Sequence, residues 1–172
     1  MDPEHVIVIS GMCRILKTIT RSLSMKNIVL NCSAITILFA LFSSQVLAEE
    51  HVVKAMVTKY EPVVVFTQPG DTVTWTNMAG HDSVSLPGMI PEGAEAWQSK
   101  MGENFTVTLE KEGAYVYKCS PHVSLGMLGA IVVGANPPAN LSAIDKALKT
   151  TKEPKGMVKR VVKQLKQALA AK

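Results

Sequence analysis

The sequence predicts an all-β domain, a sandwich or a barrel, followed by two amphipathic α-helices. Short runs rich in β-branched residues recur between residues 51 and 134, separated by glycine and proline turn signals. This spacing is typical of sandwiches and barrels. Beyond the Pro137-Pro138 pair, apolar residues recur at helical spacing instead. An apolar segment near the start of the chain indicates a secretory signal that takes no part in the fold.

The predicted signal occupies residues 25–48 and directs export of the chain. It combines a basic start and an apolar run, and Val46 and Ala48 suit the −3 and −1 positions of cleavage after Ala48. Polar residues interrupt the run, and a bilayer span needs about 20 apolar residues, so a removable signal is favoured over an anchor. Residues 1–24 are either a long basic n-region or lie upstream of a start at Met25.

The cysteines become informative once the signal is removed. Cleavage would leave residues 49–172, or 124 residues, which is long enough to bury a core. Cys13 and Cys32 leave with the signal, so Cys119 is the only thiol of the mature chain. A lone thiol outside the cytosol is expected to be paired with another chain, reactive or bound to a metal.

The formal charge of +4 is unevenly distributed along the chain. Residues 145–172 carry nine Lys/Arg and two Asp/Glu, a net +7, whereas residues 49–144 carry five and ten, a net −5. Aromatic residues do not interleave with the basic ones in the C-terminal stretch. Nucleic-acid binding is therefore disfavoured.

Strands are predicted where β-branched residues cluster or polar and apolar residues alternate. These segments are residues 52–58, 63–66, 72–77, 105–109, 114–118 and 128–133. Turn chemistry at residues 68–71 leads into the third segment, whose alternation predicts that Val73 and Trp75 face one side. Residues 86–96 contain two prolines and two glycines, which predicts a long loop with one helical turn near Ala94.

Two helices within residues 135–172 are predicted to pack on the sandwich of residues 49–134 as part of the same domain. Asn140 is the expected N-cap of the first helix, and Pro154 is tolerated in the first turn of the second. The second helix has an apolar stripe, formed by Val158, Val161, Val162, Leu165 and Leu169. The alternative is a basic helix that lies on a membrane surface.

One loop holds three candidate metal ligands. Cys119, His122 and Met127 form Cys-x2-His-x4-Met between the predicted strands 114–118 and 128–133. Thiolate, imidazole and thioether groups suit copper, and two histidines and one cysteine with a weak axial methionine define an electron-transfer copper site. A second histidine must therefore come from elsewhere in the chain.

His51 and His81 are the two remaining histidines of the predicted mature chain. His51 would be its third residue, on a terminus expected to be mobile. His81 follows the strand that ends at Asn77, where a loop can reach across the sandwich. The predicted metal ligands are His81, Cys119, His122 and Met127.

Each of these residues alone has an ordinary structural explanation, and the joint pattern is what favours copper. A lone cysteine is often a buried apolar residue, and a methionine is usually part of the core. Structural zinc needs four closed ligands, usually with more than one cysteine. A cysteine nucleophile would use a thiolate–histidine pair, but no oxyanion or substrate motif accompanies this one.

The predicted mature chain resembles the cupredoxins, and among them the pseudoazurins, over essentially all of its length. The matching segments are PGDTV (69–73), GH (80–81), GMIPEGAE (88–95), YKCSPH (117–122), GM (126–127) and PANL (138–141). The resemblance implies a Greek-key sandwich of eight strands with one type 1 copper near one end. It also implies a soluble, monomeric periplasmic electron carrier, not an enzyme, whose transient partners include copper nitrite reductase or a c-type cytochrome.

The chain departs from the family next to its first ligand, where Asp82 replaces the usual asparagine. The resemblance implies that this residue ties the two ligand loops together, with its N–H donating to the cysteine sulfur. A carboxylate there is predicted to favour oxidised copper and lower the reduction potential. The resemblance also implies that His122 reaches the surface through an apolar patch, for which Pro121, Leu125 and Met89 are candidates.

A basic docking face is not expected in this chain. The family tends to surround its exposed histidine with lysines, and here Lys100 and Lys118 fill such positions. Ala79 and Asp82 instead lie near His81 in the sequence.

Two other functions compete with electron transfer. A copper-delivery protein would share the ligands but release the metal readily. An enzyme is disfavoured because a site with four protein ligands leaves no open coordination position for a substrate.

Overall fold

A computed structural model describes residues 47–172, so the predicted signal lies outside the described residues except for its last two positions. The described part contains eight strands: β1 (Glu50–Ala55), β2 (Tyr60–Glu61), β3 (Val64–Thr67), β4 (Thr72–Thr76), β5 (Val84–Ser85), β6 (Phe105–Thr108), β7 (Gly113–Lys118) and β8 (Leu128–Val133). A short 3-10 helix (Val123–Leu125) and the helices α1 (Leu141–Thr150) and α2 (Lys155–Ala170) complete it. None of these described helices is long and apolar enough to cross a membrane.

The described strands form two four-stranded sheets, with the orders β2-β1-β4-β6 and β3-β8-β7-β5. β1 pairs in parallel with β4, and β3 with β8, whereas the other pairs are antiparallel. One buried cluster takes side chains from both sheets, including Val53 and Trp75 from the first and Tyr117 and Ile131 from the second. The predicted all-β Greek-key sandwich with two C-terminal helices is confirmed.

Strand β4 follows its sequence pattern closely. Val73 and Trp75 are fully buried on one face, while the three threonines that alternate with them are half-buried on the other. Strand β8 differs, because all six of its residues are buried. A strand covered on both faces is expected to be a continuous apolar run, and the helices provide the second cover.

The apolar stripe of helix α2 faces the interior of the protein. All five residues of the stripe are buried and share one cluster with Ile144 of α1 and with Ala130 and Val132 of β8. Burial of this stripe leaves no apolar face for the alternative of a membrane-surface helix.

Asn140 stands at the N-cap position of α1, as predicted, but its side chain is used elsewhere. Its Nδ2 donates to the Ala114 carbonyl oxygen and its Oδ1 accepts from the Ala114 N–H, both at 2.8 Å. The amide therefore pairs with β7 as a neighbouring strand residue would. The expected capping bond is replaced because the two backbone groups of Ala114 engage both ends of the amide.

The remaining differences from the predicted elements are small. β2 and β5 have two residues each and were not expected, since they are defined by pairing with β1 and β7. The helical turn predicted near Ala94 is a β-turn instead, because the Ala94 N–H donates to the Pro91 carbonyl oxygen at 3.0 Å and Gly93 has a φ of +69°, outside the helical region.

Candidate metal centre

The ligand loop, residues 119–127, connects β7 to β8 and is closed by its own backbone bonds. The Cys119 N–H donates to the Met127 carbonyl oxygen (3.0 Å), and the Met127 N–H donates to the His122 carbonyl oxygen (3.2 Å). The loop is therefore fixed at both ends and holds its three candidate ligands beside the end of β7.

Gly126 allows this loop to turn back towards β8. Its φ of +92° lies in the left-handed region, which glycine adopts without steric cost. A Cβ atom at this position would also lie 1.6 Å from a guanidinium nitrogen of Arg160. Arg160 of α2 thus covers the loop at the one residue that has no side chain.

His81 comes from a distant part of the chain, the connection between β4 and β5. Its N–H donates to the Met78 carbonyl oxygen, and its own carbonyl oxygen accepts from the Gly102 N–H, both at 2.8 Å. The His81 residue is buried. Backbone bonds on both sides therefore fix where its imidazole can point.

Three donor atoms converge where the two loops meet. The Cys119 Sγ lies 3.6 Å from the His81 Nδ1 and 3.4 Å from the His122 Nδ1. One ligand atom from each of the three residues lies within 4.8 Å of the other two. The structure therefore brings together three of the four residues predicted to bind the metal.

Met127, the predicted weak axial ligand, is fully buried in the same apolar cluster as Cys119. Its backbone is bonded to both Cys119 and His122, so the residue belongs to the same closed loop. One thiol, two imidazoles and a thioether are a donor set that favours copper, whereas structural zinc sites usually take more than one cysteine. The residues present fit one copper ion.

Burial sets the protonation states of these donors. Burial raises the pKa of the Cys119 thiol, although hydrogen bonding from the backbone N–H groups of Asp82 and His122 opposes the rise. Burial also lowers the pKa of His81, and the nearby His122 acts in the same direction. The imidazole is thus kept neutral with a lone pair for a metal, and a bound cation would favour loss of the thiol proton.

Asp82 joins the two loops through its side chain. Its Oδ1 accepts the Ser120 N–H at 2.6 Å, and its backbone carbonyl oxygen accepts from the Tyr60 hydroxyl. The sequence resemblance implied a link through the Asp82 N–H, and the carboxylate link to Ser120 was not foreseen. An aspartate directly after a candidate ligand histidine was the signal that could have predicted it.

His51 lies outside this centre, as predicted, but for a different reason. The expectation of a mobile terminus is wrong, because His51 belongs to β1 and is paired in register with Val73 of β4. Its Nε2 also lies 2.9 Å from a carboxylate oxygen of Asp71. The partner of the His51 imidazole is therefore the Asp71 carboxylate.

Two apolar residues are exposed in the loop beside His122. Leu125 is 61% exposed, and Pro121 is exposed as well, while His122 itself is half-buried. Met89 was predicted to belong to this patch, but it is only 1% exposed and packs in the cluster beneath the helices. Of the three predicted members, Pro121 and Leu125 remain.

Both lysines predicted near the centre have an acidic partner. The Lys118 Nζ lies 2.6 Å from a Glu153 carboxylate oxygen, with both side chains less than a quarter exposed. The Lys100 Nζ lies 3.8 Å from a Glu103 carboxylate oxygen at the surface. Because Glu153 neutralises Lys118, these two residues do not form a basic face.

Comparison with known proteins shows the family to which the chain belongs. A family model described as copper-binding proteins of the plastocyanin/azurin family matches residues 48–134. The chain belongs to this family. It is 36% identical over 109 residues to a pseudoazurin from Paracoccus pantotrophus, a match that covers 63% of this chain and 72% of the relative.

The solved structures that resemble this chain include two pseudoazurins. The crystal structure of pseudoazurin from Methylobacterium extorquens AM1 has a TM-score of 0.60 at 30% identity, covering 70% of this chain and 99% of that one. A Sinorhizobium pseudoazurin has a TM-score of 0.58 at 43% identity, covering 68% and 96%. This cupredoxin is therefore a copper protein that carries electrons and is not an enzyme, as its sequence predicted.

Proposed function

We propose that this cupredoxin is a periplasmic electron carrier that holds one copper ion with His81, Cys119, His122 and Met127. The observation that carries the proposal is the convergence of the Cys119 sulfur and the two imidazoles within 4.8 Å of one another. Bound copper would supply the redox chemistry by cycling between Cu(II) and Cu(I). The chain itself contributes the placement of the ligands and the route to the surface.

The protein holds the ligands in nearly one geometry for both oxidation states. The ligand loop is closed by its own backbone bonds, and the Asp82–Ser120 bond fixes it to the loop of His81. Cys119 and Met127 are fully buried, so water does not reach them. Little rearrangement should accompany the arrival or departure of an electron, and this favours rapid transfer.

His122 is the proposed point at which electrons enter and leave. Of the four proposed ligands it is the most exposed, and it lies beside Pro121 and Leu125 on the surface. Transient redox encounters bury small interfaces, under about 1,200 Å² in total, which a patch of this kind suits. The partners we propose are copper nitrite reductase or a c-type cytochrome, each meeting a monomer of this chain.

Export is proposed to remove the leader over residues 25–48. Leu47 and Ala48 are exposed and precede β1, which begins at Glu50. Cleavage after Ala48 would therefore leave each described strand intact. The mature domain would then comprise the sandwich of residues 49–134 and the helices of residues 135–172.

Copper binding by purified residues 49–172 tests the ligand assignment. Wild type is expected to take up one equivalent of Cu(II), with an intense visible absorption that disappears reversibly on reduction. Cys119→Ser should lose this absorption, and His51→Gln should retain it, since His51 pairs with Asp71. A wild type without the absorption, or loss of it in His51→Gln, would contradict the assignment.

Electron transfer itself is tested by mixing the reduced protein in a stopped-flow instrument with copper nitrite reductase or with an oxidised c-type cytochrome. Rapid oxidation by at least one of them is expected. Transfer to neither, together with ready loss of copper to a mild chelator, would indicate copper delivery instead.

A further inference from the structure

Asp71, in the turn before β4, is a buried carboxylate with both oxygens occupied. Its Oδ2 accepts the Gln68 N–H at 2.7 Å and lies 2.9 Å from the His51 Nε2, and its Oδ1 accepts the Glu49 N–H at 2.9 Å. The backbone donors Gln68 and Glu49, followed by His51, lower the pKa of Asp71 to about 2. Asp71 is therefore an anion at neutral pH, although it is only 3% exposed.

Two of these three partners lie at the start of the proposed mature chain. Cleavage after Ala48 would make Glu49 its first residue and His51 its third. The peptide bond to be cut follows Leu47 and Ala48, which are exposed and lie outside β1. The nitrogen of Glu49 that contacts Asp71 would then belong to an α-ammonium group and no longer to a neutral amide.

We propose that Asp71 is the binding site for the amino terminus that leader removal creates, and that this ion pair fastens β1 to β4 in the processed protein. The inference rests on the proposed cleavage after Ala48. A signal peptidase would hydrolyse the Ala48–Glu49 peptide bond with one water molecule. The cut leaves a carboxylate on Ala48 and an amine on Glu49, and this amine is largely protonated at neutral pH.

The position of Glu49 is fixed from both of its backbone ends. Its carbonyl oxygen accepts the Thr72 N–H at 2.9 Å, and the parallel register continues with Glu50 opposite Thr72. Its nitrogen is thereby held against the neighbouring Asp71. The neutral Glu49 N–H already bonds an ionised acceptor. Cleavage adds a positive charge on a nitrogen that lies 2.9 Å from the carboxylate oxygen, and the attraction of opposite charges strengthens a contact whose geometry already exists.

The amount of stabilisation depends on the cleaved position. A chain that began one residue earlier or later would carry its ammonium group on a residue whose nitrogen does not contact Asp71. The structure thus distinguishes cleavage after Ala48 from cleavage at neighbouring bonds.

The first test is the mass of the exported protein. We expect the mature chain to begin at Glu49, with a free amine. Any other first residue, or a blocked amine, overturns the proposal.

The second test separates the charge of the terminus from its position. Residues 49–172 are prepared with a free or an acetylated α-amine, in wild type, in Asp71→Asn and in Asp145→Asn. Asp145→Asn is the matched control because that carboxylate is exposed and pairs with Lys166. Acetylation keeps an N–H donor but removes the charge.

Acetylation is expected to lower the folding equilibrium constant roughly threefold to tenfold in wild type and in the Asp145→Asn control. It should have little effect in Asp71→Asn, because the partner charge is already gone. An equal effect of acetylation in wild type and Asp71→Asn overturns the proposal.

A third measurement needs no variant. The Glu49 amine of native wild type should react with an acylating reagent several-fold more slowly than the same amine in denaturant, and equal rates would contradict the proposal. These tests are read from mass, unfolding and amine reactivity. Their failure would leave the copper absorption intact, and failure of the copper assignment would leave these results unchanged.

Discussion

The Asp82 Oδ1 accepts the Ser120 backbone N–H at 2.6 Å, and this bond joins the two loops that carry the proposed copper ligands. Asp82 directly follows His81, and Ser120 directly follows Cys119. One side chain therefore sets the separation of a histidine and a cysteine that are 38 residues apart. The same side chain places a buried carboxylate next to the proposed copper site.

Replacing Asp82 with asparagine is expected to raise the reduction potential, on the order of 50 mV. The amide keeps an oxygen that can accept the Ser120 N–H, but it removes a negative charge that stabilises Cu(II). For a one-electron couple, 59 mV corresponds to a tenfold change in the equilibrium constant. An optical redox titration measures the shift, and Asp145→Asn is the control for a change of one exposed charge. An unchanged potential in Asp82→Asn would contradict the charge argument.

Replacing Leu125 with glutamate is expected to slow electron transfer to a partner several-fold without changing the visible spectrum. Leu125 is 61% exposed beside His122, so a charge there should oppose apolar docking while the ligands stay in place. Stopped-flow rates with the same partner provide the measurement. Val57→Glu is the matched control, since Val57 is equally apolar and even more exposed. Equal slowing in both variants would argue against a docking patch at Leu125, and loss of colour would indicate a metal defect.

Replacing Asn140 with alanine is expected to lower the free energy of unfolding by about 2–4 kcal/mol, because it leaves the N–H and C=O of Ala114 without their partners. Urea unfolding at neutral pH measures the difference, and an unchanged denaturant slope would show that the fold is retained. Asn136→Ala serves as the control, since the Asn136 side chain makes one longer bond, to the Leu169 carbonyl oxygen at 3.2 Å. If the two variants lose equal stability, the double bond to β7 does not have the role assigned to it.

The stability contributed by Asp71 should depend on pH in the acidic range. Its pKa is lowered from 3.8 to about 2 in the folded protein, so the folded state favours the anion. The contribution is therefore complete above about pH 4 and is lost as the pH falls through 2. Urea unfolding of metal-free wild type and Asp71→Asn should differ at pH 5 and converge towards pH 2. A difference that stays constant over this range would show that the Asp71 charge does not stabilise the fold.

The sequence was sufficient to predict the strands that bury an apolar face and the loop that carries three candidate ligands. The alternation in β4 and the apolar stripe of α2 are periodic patterns, and such patterns can be recognised in a single sequence. The spacing of Cys119, His122 and Met127 is likewise local. Where an element is defined by its own residues, sequence reasoning succeeded.

Three of the missed features depend on contacts between distant residues. Asn140 is a good N-cap residue by type, yet the backbone N–H and C=O of Ala114 determine what its amide does. His51 was expected to be mobile because it stands near a terminus, and its parallel pairing with β4 is not visible locally. Met89 is the third case, because its burial depends on the helices that pack in the same cluster.

The parallel pairing of β3 with β8 has a consequence for the order in which the elements of this chain can fold. Val64 lies opposite Ala130, and Thr67 opposite Val133, so the second sheet needs the last strand before it can close. Pairings between residues this far apart form late and slowly. Since β8 follows the ligand loop directly, the pairing of this strand also brings the ligand loop next to His81. Capacity to take up metal should therefore emerge together with the finished sandwich, and not before it.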